Sequence, residues 1–296
     1  NPKDKGSIIL IGNFDGLHIG HQKLFALAKK YKKKYSLRIG VLTFEPLPKM
    51  YFNKKINNFR ISNQKQKISL LNDLNVDFVI IKKFTKEFSK IKSISFIENI
   101  LNKKLKAKFI FVSNNFRFGN KREGDVKQLK KFENNYSYKI IKPKPLLKKR
   151  NIVSSSLIRN YLQKGKLAEA NKLLNRKWSI EGKVQKGKQL GKKIGFPTAN
   201  IDIKDYVLAC PGVYAVRVKM KNNNKKIKGI ANLGYRPTFN EKKILLEVHL
   251  FNFSRNLYDK YLSIEFLKFI RKEKKFKDMD HLKKQIKTDL IVAKKI

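Results

Sequence analysis

The hydrophobic pattern of this 296-residue chain changes once, near Arg176, and the change limits the folds that the chain can adopt. Before Arg176, apolar strand-like runs alternate with runs of helical periodicity, as in residues 7–14 followed by residues 21–34. Strands that alternate with helices are joined by right-handed crossovers, so the first half is expected to be an α/β layer with a mostly parallel sheet. After Arg176, short strand-like runs leave no room for crossover helices, which predicts an antiparallel barrel or sandwich.

The pattern predicts two domains, residues 1–175 and residues 176–296. The first half is expected to contain further strands at 37–44, 77–81 and 108–112, and helices at 62–74, 93–102 and 154–175, the last broken at Gly165. The second half is expected to contain strands at 178–185, 212–219, 227–233, 244–251 and 261–267. Asp278 and Asp280 form an acidic cap before apolar residues at helical spacing, so a final helix is expected to pack on the barrel.

The composition favours a globular protein of a reducing compartment. Hydrophobic residues make up 41% of the chain and charged residues 31%, which is enough apolar surface for a folded core. The longest apolar runs, such as residues 76–81, are much shorter than the roughly 18 residues of a membrane span. The single cysteine, Cys210, cannot form an internal disulfide, and residues 1–4 lack the pattern of a secretory signal. We therefore expect a cytoplasmic protein with no membrane partner.

The chain carries 70 Lys+Arg against 22 Asp+Glu, which is a formal net charge of +48. A polycation gains affinity for nucleic acids by releasing counterions from phosphates, so a basic RNA-binding protein is one hypothesis. Only 11 of the 70 are arginine, and the lysines are spread through every segment. This distribution favours a compositional bias over a dedicated binding patch, so no specific nucleic-acid partner is expected, although the positive field attracts anionic substrates.

Two of the four histidines lie in one turn between the first strand and the first helix. The segment GNFDGLHIGH, residues 12–21, places His18 and His21 at the start of a helix, where the helix dipole favours an anion. Imidazoles here suit stabilising the charge that develops on a triphosphate attacked at its α-phosphorus, and Gly20 allows close approach of a phosphate. Ordinary turn histidines are the alternative, and no third ligand at usable spacing supports a zinc site.

Two later segments are expected to join the same anion site. Residues 113–119, SNNFRFG, follow the strand that ends at Val112 and therefore lie at the same carboxyl edge of the sheet. Residues 154–159, SSSLIR, begin a helix with hydroxyl groups at its cap and Arg159 one turn later, which suits binding of a polyphosphate. Simple capping is the alternative for the serines. Together the three segments indicate nucleotidyl transfer.

The second half contains a glycine-rich loop, GKQLGKKIGFPTAN, at residues 187–200. Such a loop can wrap a phosphate chain with its amides while Thr198 and Asn200 offer hard oxygen ligands to Mg²⁺. The loop lacks the ending of a Walker A motif, and a plain surface turn is the alternative. Further on, the strand LEVHL puts Glu247 and His249 on one face. If that face is the barrel interior, Glu247 suits accepting a hydroxyl proton during phosphoryl transfer; a surface strand is the alternative.

In chain order, the segments GNFDGLHIGHQ (12–22), FRFGNKREGD (116–125) and SSSLIR (154–159) resemble the FMN adenylyltransferase module of bacterial bifunctional riboflavin kinase/FAD synthetases. The resemblance implies a Rossmann-like nucleotidyltransferase domain that joins ATP and FMN to give FAD and pyrophosphate. It implies an ATP site made of Gly12, Phe14, His18, Gly20, His21, Asn115, Ser155, Ser156 and Arg159. Within this set, the two histidines would contact the ATP phosphates and act catalytically, Asn115 would help hold the substrates, and the last three would clamp the pyrophosphate.

Five later segments resemble the riboflavin kinase module of the same family: GKQLGKKIGFPTAN (187–200), GVYAV (212–216), ANLGYRPTF (231–239), LEVHL (246–250) and FIRKEKKF (269–276). The resemblance implies a Greek-key split β-barrel with a terminal helix. It implies that Mg-ATP is bound by Gly187, Gly191, Gly195, Thr198 and Asn200, the last two at the metal. Glu247 would deprotonate the ribityl 5′-hydroxyl, and Arg271 would lie near the flavin. The implied partners are riboflavin, FMN and ATP as co-substrate, with Mg²⁺ as cofactor; an oligomer is compatible with the sequence.

Four positions depart from the usual pattern of the family. Leu47 stands where histidine is usual, Ser113 and Asp259 where glycine is usual, and Ser156 where threonine is usual. Because the Leu47 side chain cannot donate a hydrogen bond, a protein that keeps only the riboflavin kinase activity is the alternative to a bifunctional enzyme.

Overall fold

The computed structural model describes residues 6–54, 56–187, 191, 194–220, 225–237 and 242–296. These residues form two compact units, one from Asn1–Ile56 and Gln64–Ser154, and the other from Asn57–Asn63 and Ser155–Ile296. The units divide after Ser154, whereas the hydrophobic pattern changes near Arg176, because two helices between these points keep helical periodicity but belong to the second unit.

The first unit is built on a five-stranded parallel sheet with the order β3-β2-β1-β4-β5. Its strands are β1 (Ile8–Ile11), β2 (Ile39–Glu45), β3 (Phe78–Lys83), β4 (Phe109–Phe111) and β5 (Lys139–Ile141), and a separate hairpin consists of β6 (Leu147–Lys148) and β7 (Asn151–Ile152). The strand order reverses between β1 and β4, and ligands of such sheets bind beyond the carboxyl ends of the strands at this point.

Helices cover both faces of the sheet. They are α1 (Ile19–Tyr35), α2 (Pro48–Phe52), α3 (Gln64–Asp73), α4 (Lys86–Ser89), α5 (Ser93–Ser95) with a π-helical continuation (Phe96–Lys104), a 3₁₀ turn (Asn120–Arg122) and α6 (Val126–Lys131). Ile8 and Leu10 pack with residues of α1 on one face of β1, and Ile9 and Ile11 pack with residues of the π-helical segment on the other. Because both faces of β1 are covered, every position of this strand is apolar.

The second unit contains a closed antiparallel barrel with the order β10-β11-β12-β9-β8-β13. Its strands are β8 (Ser179–Gln185), β9 (Ala199–Asp202), β10 (Gly212–Met220), β11 (Lys226–Pro237), β12 (Lys242–Leu250) and β13 (Tyr261–Lys272). Buried aromatic rings pack in it, with the centroid of Phe266 lying 4.7 Å from Trp178 and 5.1 Å from Tyr214. The sequence left a barrel and a sandwich open, and the closed sheet shows that this unit contains a barrel.

The same unit contains the helices α7 (Ser155–Gln163), α8 (Leu167–Leu174) and α9 (Met279–Lys294). Gly165, with φ of +70°, separates α7 from α8 as predicted. Asp278 caps α9 and accepts a hydrogen bond from the His281 N–H at 2.9 Å, which confirms the predicted start of this helix. Arg271 of β13 forms an ion pair with Asp289 of α9, its Nη2 donating to Oδ2 at 2.7 Å and its Nε at 2.9 Å.

The predicted helix at 93–102 has mainly π geometry, and this is a correction to the sequence analysis. In a π-helix, residues five apart lie on one face, and Lys103 Nζ lies 2.7 Å from Glu98 Oε1. Sequence reasoning also missed β5, β6, β7, β9, α2, α4 and α6, which are all short. No helix in the described part of the chain is long and apolar enough to cross a membrane.

We expect Asp289→Ala to lower the free energy of unfolding by about 3 to 5 kcal/mol, because it leaves the mostly buried Arg271 guanidinium without its carboxylate. Urea unfolding of the full chain measures the change. Thr288→Ala, at the exposed neighbouring position, is the matched control. Replacing both partners by leucine should recover most of the loss, and a loss that persisted in the double variant would contradict the assignment to the ion pair.

Candidate active sites

The turn after β1 is held in a compact shape by its own aromatic and imidazole rings. The backbone turns through positive φ at Phe14 (+47°), Gly16 (+78°) and Leu17 (+39°) before α1 begins. The Phe14 ring is buried against Gly12, where a Cβ atom would come within 3.2 Å of the ring. The Phe14 ring also meets His21 edge to face, with centroids 5.2 Å apart.

The two histidines of this turn form one stacked pair. His18 is the N-cap residue of α1, and its Nδ1 accepts a hydrogen bond from the His21 N–H at 3.4 Å. The two rings stack with centroids 3.7 Å apart and an angle of 19° between their planes. A Cβ on Gly20 would approach the His18 ring to 3.1 Å, so the glycine makes room for this packing.

The electrostatic state of His21 follows from this packing. Desolvation, with a smaller contribution from nearby His18, lowers the pKa of His21 well below 6.5. Its Nδ1 is buried and has no hydrogen-bond partner among the described residues. A neutral imidazole with an unpaired nitrogen at the first turn of a helix can bind a phosphate group, whose charge raises the pKa of the ring.

Asn115 lies at the carboxyl edge of the same sheet. It is exposed in the loop that follows β4, the strand adjacent to β1, and its Oδ1 accepts a hydrogen bond from the Ser113 hydroxyl at 3.0 Å. Arg117 is also exposed and pairs with Asp125, the N-cap of α6, at 3.5 Å. The predicted placement of Asn115 beyond the end of its strand is therefore confirmed.

The serines and the arginine predicted to grip a polyphosphate belong to the second compact unit. Ser155 and Ser156 form the first turn of α7 and are at least partly exposed. Arg159, one turn further on, donates a hydrogen bond from Nε to the Phe59 carbonyl at 2.8 Å. Its guanidinium carbon lies 3.8 Å from the centroid of the Phe59 ring.

The glycine-rich loop of the second half runs from β8 to β9, and its residues 188–190, 192 and 193 lie outside the described residues. Asn200, in β9, is buried, and its Oδ1 has no hydrogen-bond partner in the described part of the chain. A Cβ at Gly187 would come within 2.8 Å of Asn200 Cγ, so the loop passes directly over the Asn200 amide. Gly191 lies beside Thr198, whose Oγ1 would be 3.4 Å from a Cβ there, and Gly195 has φ of +87°.

Glu247 lies directly beside Asn200 in the barrel, because these residues pair across β12 and β9. Leu246, Val248 and Leu250 are buried, whereas Glu247 and His249 are partly exposed. The face that Glu247 and His249 share is therefore not the barrel interior, and that condition of the sequence analysis is wrong. The alternation of side chains along a strand puts these two residues on the outer face.

His249 connects the strand of Glu247 to the loop of Thr198. Its Nδ1 lies 2.8 Å from the Pro197 carbonyl oxygen, so the ring donates a hydrogen bond there in the Nδ1-protonated tautomer. The Phe196 ring meets the His249 ring edge to face at 6.0 Å. Sequence reasoning placed His249 on the same face as Glu247 but assigned it no contact, because Pro197 is 52 positions away along the chain.

Two family models match the chain, one described as FAD synthetase over residues 1–157 and one described as riboflavin kinase over residues 174–296. A protein from Buchnera aphidicola subsp. Schizaphis graminum is 40% identical over 99% of this chain and 94% of its own length. A protein from Escherichia coli strain K12 is 36% identical over 98% of this chain and 92% of its own length. Both carry the name bifunctional riboflavin kinase/FMN adenylyltransferase. The chain belongs to this family.

A solved structure supports the fold over nearly the whole chain. The crystal structure of a protein called macrolide-efflux protein from Streptococcus pneumoniae superposes with a TM-score of 0.86 at 29% identity, covering 98% of this chain and 94% of the other. The family assignment and this likeness agree on a parallel-sheet unit followed by a closed barrel.

Two departures from the usual pattern of the riboflavin kinase/FMN adenylyltransferase family can now be placed. Leu47 is buried, with 2% of its surface exposed, at the start of α2. Asp259 has φ of +63°, which explains why glycine is usual there. It forms an ion pair with Lys183 at 2.8 Å, and the hydrogen bond from Lys183 lowers the pKa of Asp259.

Sequence reasoning missed Lys67, a buried lysine close to the histidine turn. It lies in α3 with 3% of its surface exposed, and its Nζ donates to the Thr43 hydroxyl at 3.2 Å. Thr43 in turn donates to the carbonyl of Asn13, in the histidine turn, at 3.4 Å. Lys67 shares the buried face of α3 with Leu71, and this spacing of four residues was the available signal.

The histidine turn should make the first unit less stable in mild acid. Because the folded state keeps His21 neutral while the unfolded chain binds a proton below pH 6.5, stability falls as the pH drops below that value. From about pH 7.5 to about pH 5.5, this group lowers the free energy of unfolding by at most about 1.4 kcal/mol, the limit set by its pKa in the unfolded chain. Urea unfolding at both pH values measures this change in the free energy of unfolding for the natural chain and for His21→Phe. The variant should lose correspondingly less unfolding free energy between the two pH values. An equal loss would contradict a lowered pKa.

The contact between His249 and Pro197 should position the Thr198 loop. We expect His249→Ala to raise the KM for Mg-ATP in riboflavin phosphorylation about three- to tenfold, the effect of losing one hydrogen bond, with little change in kcat. His249→Asn can still donate from its side-chain amide and should lie closer to the natural enzyme. Equal effects of the two substitutions in steady-state kinetics would contradict this role.

Proposed function

We propose that the two halves of the chain catalyse consecutive reactions. The C-terminal half phosphorylates riboflavin with ATP to give FMN, and the N-terminal half adenylylates FMN with a second ATP to give FAD and pyrophosphate. Both family models and the full-length relatives support this bifunctional activity. Residues 1–175 and 176–296 are the proposed extents of the two modules.

In the kinase reaction, Glu247 is the proposed general base. Its carboxylate accepts the proton of the ribityl 5′-hydroxyl while the hydroxyl oxygen attacks the γ-phosphorus of ATP, and ADP leaves. The observation that supports this role is the pairing of Glu247 with Asn200 on the partly exposed face of β12. Gly187, Gly191 and Gly195 are proposed to wrap the ATP phosphates with their backbone amides.

The residues of the loop fit a magnesium ion. Asn200 Oδ1 is a buried oxygen without a hydrogen-bond partner among the described residues, which is the state expected of a ligand atom before its metal binds. The Thr198 hydroxyl offers a second hard oxygen two residues earlier. Mg²⁺, when bound, neutralises negative charge on the phosphates. Within the described residues, no cluster of three His, Cys, Asp or Glu side chains offers another metal site.

In the adenylyl transfer, His18 and His21 are the proposed catalytic residues. A phosphate oxygen of FMN attacks the α-phosphorus of ATP, and the stacked imidazoles donate hydrogen bonds to the phosphate oxygens on which charge develops. Gly12, Phe14 and Gly20 shape the turn that holds this pair. Asn115 is proposed to help hold the substrates, and Ser155, Ser156 and Arg159 to bind the departing pyrophosphate.

Arg271 is the proposed flavin-side residue of the kinase. Its bond to Asp289 fixes the guanidinium between β13 and α9, so any contribution to flavin binding comes from a rigid side chain. A cytoplasmic location is also kept as a prediction. The oligomeric state stays open, and a nucleic-acid partner is not part of the proposal.

An enzyme with only the riboflavin kinase activity is not favoured. The FAD synthetase model matches residues 1–157, and the name of the full-length relatives contains both activities. Chromatography of the pure protein with riboflavin and Mg-ATP tests it directly. We expect FMN and FAD to form in sequence. FMN without FAD would support the alternative, and the absence of both products would refute the proposed function.

The two activities should be separable by single substitutions. We expect Glu247→Gln to lower FMN formation about 10²- to 10⁴-fold while leaving FAD formation from supplied FMN intact, because only the kinase loses its base. His21→Ala should do the reverse, with a loss of about 10²- to 10³-fold. Glu169→Gln and His281→Ala, both at exposed positions, are the matched controls. Loss of both activities from either site variant in a folded protein would contradict two separate sites.

A further inference from the structure

A short segment from the first half of the sequence is built into the second unit. Residues 57–63, here called the strap, belong to that unit and run parallel to residues 203–207. The Arg60 N–H donates to the Asp205 carbonyl at 2.9 Å, and the Val207 N–H donates to the Arg60 carbonyl at 2.7 Å. The Trp178 indole donates to the Ile61 carbonyl at 2.9 Å. Because backbone groups and a buried ring hold it, the strap is a fixed support.

Phe59 of the strap makes two contacts with Arg159. Its carbonyl accepts the hydrogen bond from Nε at 2.8 Å, and its ring lies under the guanidinium at 3.8 Å. Arginine loses much rotamer freedom when it is ordered, so a side chain held beforehand binds an anion at lower entropic cost. The terminal nitrogens of the guanidinium form the fork that grips phosphate oxygens.

We infer that Phe59 is a positioning residue for Arg159 in adenylyl transfer. The inference rests on the proposed function of Arg159 as a pyrophosphate-binding group. The ring restricts the guanidinium to one plane and the carbonyl fixes its Nε edge, so the fork is oriented before ATP binds. Through the strap, Phe59 from the first half of the sequence contacts Arg159 within the second unit.

The test compares Phe59→Leu with Phe59→Tyr in the full-length protein. The leucine variant keeps the carbonyl but removes the ring, and we expect its kcat/KM for ATP in FAD formation from FMN to fall about three- to tenfold. Phe59→Tyr keeps a ring and should restore the natural value. Phosphorylation of riboflavin in the same preparations should not change, which shows that the second unit is folded. Phe132→Leu, where the ring stacks on Tyr136 instead of on a guanidinium, is the matched control.

A double-substitution cycle with Arg159→Ala separates the inferred role of Phe59 from the proposed role of Arg159. If Phe59 acts through Arg159, then Phe59→Leu has no further effect once the guanidinium is gone. An undiminished effect in that background, or a normal kcat/KM for Phe59→Leu alone, would overturn the inference while leaving the role of Arg159 intact. Unchanged FAD formation in Arg159→Ala alone would overturn the proposed role of Arg159 and the inference with it. Phe59→Met serves in the same cycle if the leucine variant does not fold.

Discussion

Buried strands must satisfy their backbone N–H and C=O groups by pairing with neighbours, and this requirement places both candidate sites. In the first unit, β1 lies between β2 and β4, so the turns that follow β1 and β4 leave the sheet at one edge. In the barrel, the same requirement sets Glu247 opposite Asn200. The chemistry of each site therefore depends on register that the apolar residues fix, since a slip by one residue would turn each side chain to the other face.

The electrostatics of the whole molecule differ from those of the histidine turn. The net charge of +48 gives the whole molecule a field that attracts ATP and FMN. Inside the histidine turn, however, desolvation lowers the pKa of His21, so at neutral pH the buried ring adds no positive charge to the turn. A phosphate bound there, as proposed, would favour the protonated ring. In the proposed function, the positive field attracts the anion, and the helix N-terminus with its stacked imidazoles forms the specific contact.

Much of the fold could be predicted from the residues, but the contacts could not. Periodicity located β1, α1 and the break at Gly165, because a buried strand and an amphipathic helix leave local marks in the sequence. It missed β9, whose first two residues end the glycine-rich motif, and it missed the π geometry after Ser95, which depends on packing. It put Glu247 and His249 on one face of their strand but did not establish that this face points outward.

The sequence by itself determined the two architectures, the family and the residue types at both sites, because these depend on local pattern and on motifs in chain order. Only the tertiary structure decided that Asn200 Oδ1 is a buried oxygen without a hydrogen-bond partner among the described residues, that His249 contacts Pro197, and that the Arg159 guanidinium stacks on Phe59. Phe59 and Arg159 are 100 positions apart along the chain. No local pattern can report such a contact, because it exists only after the strap has paired with residues 203–207.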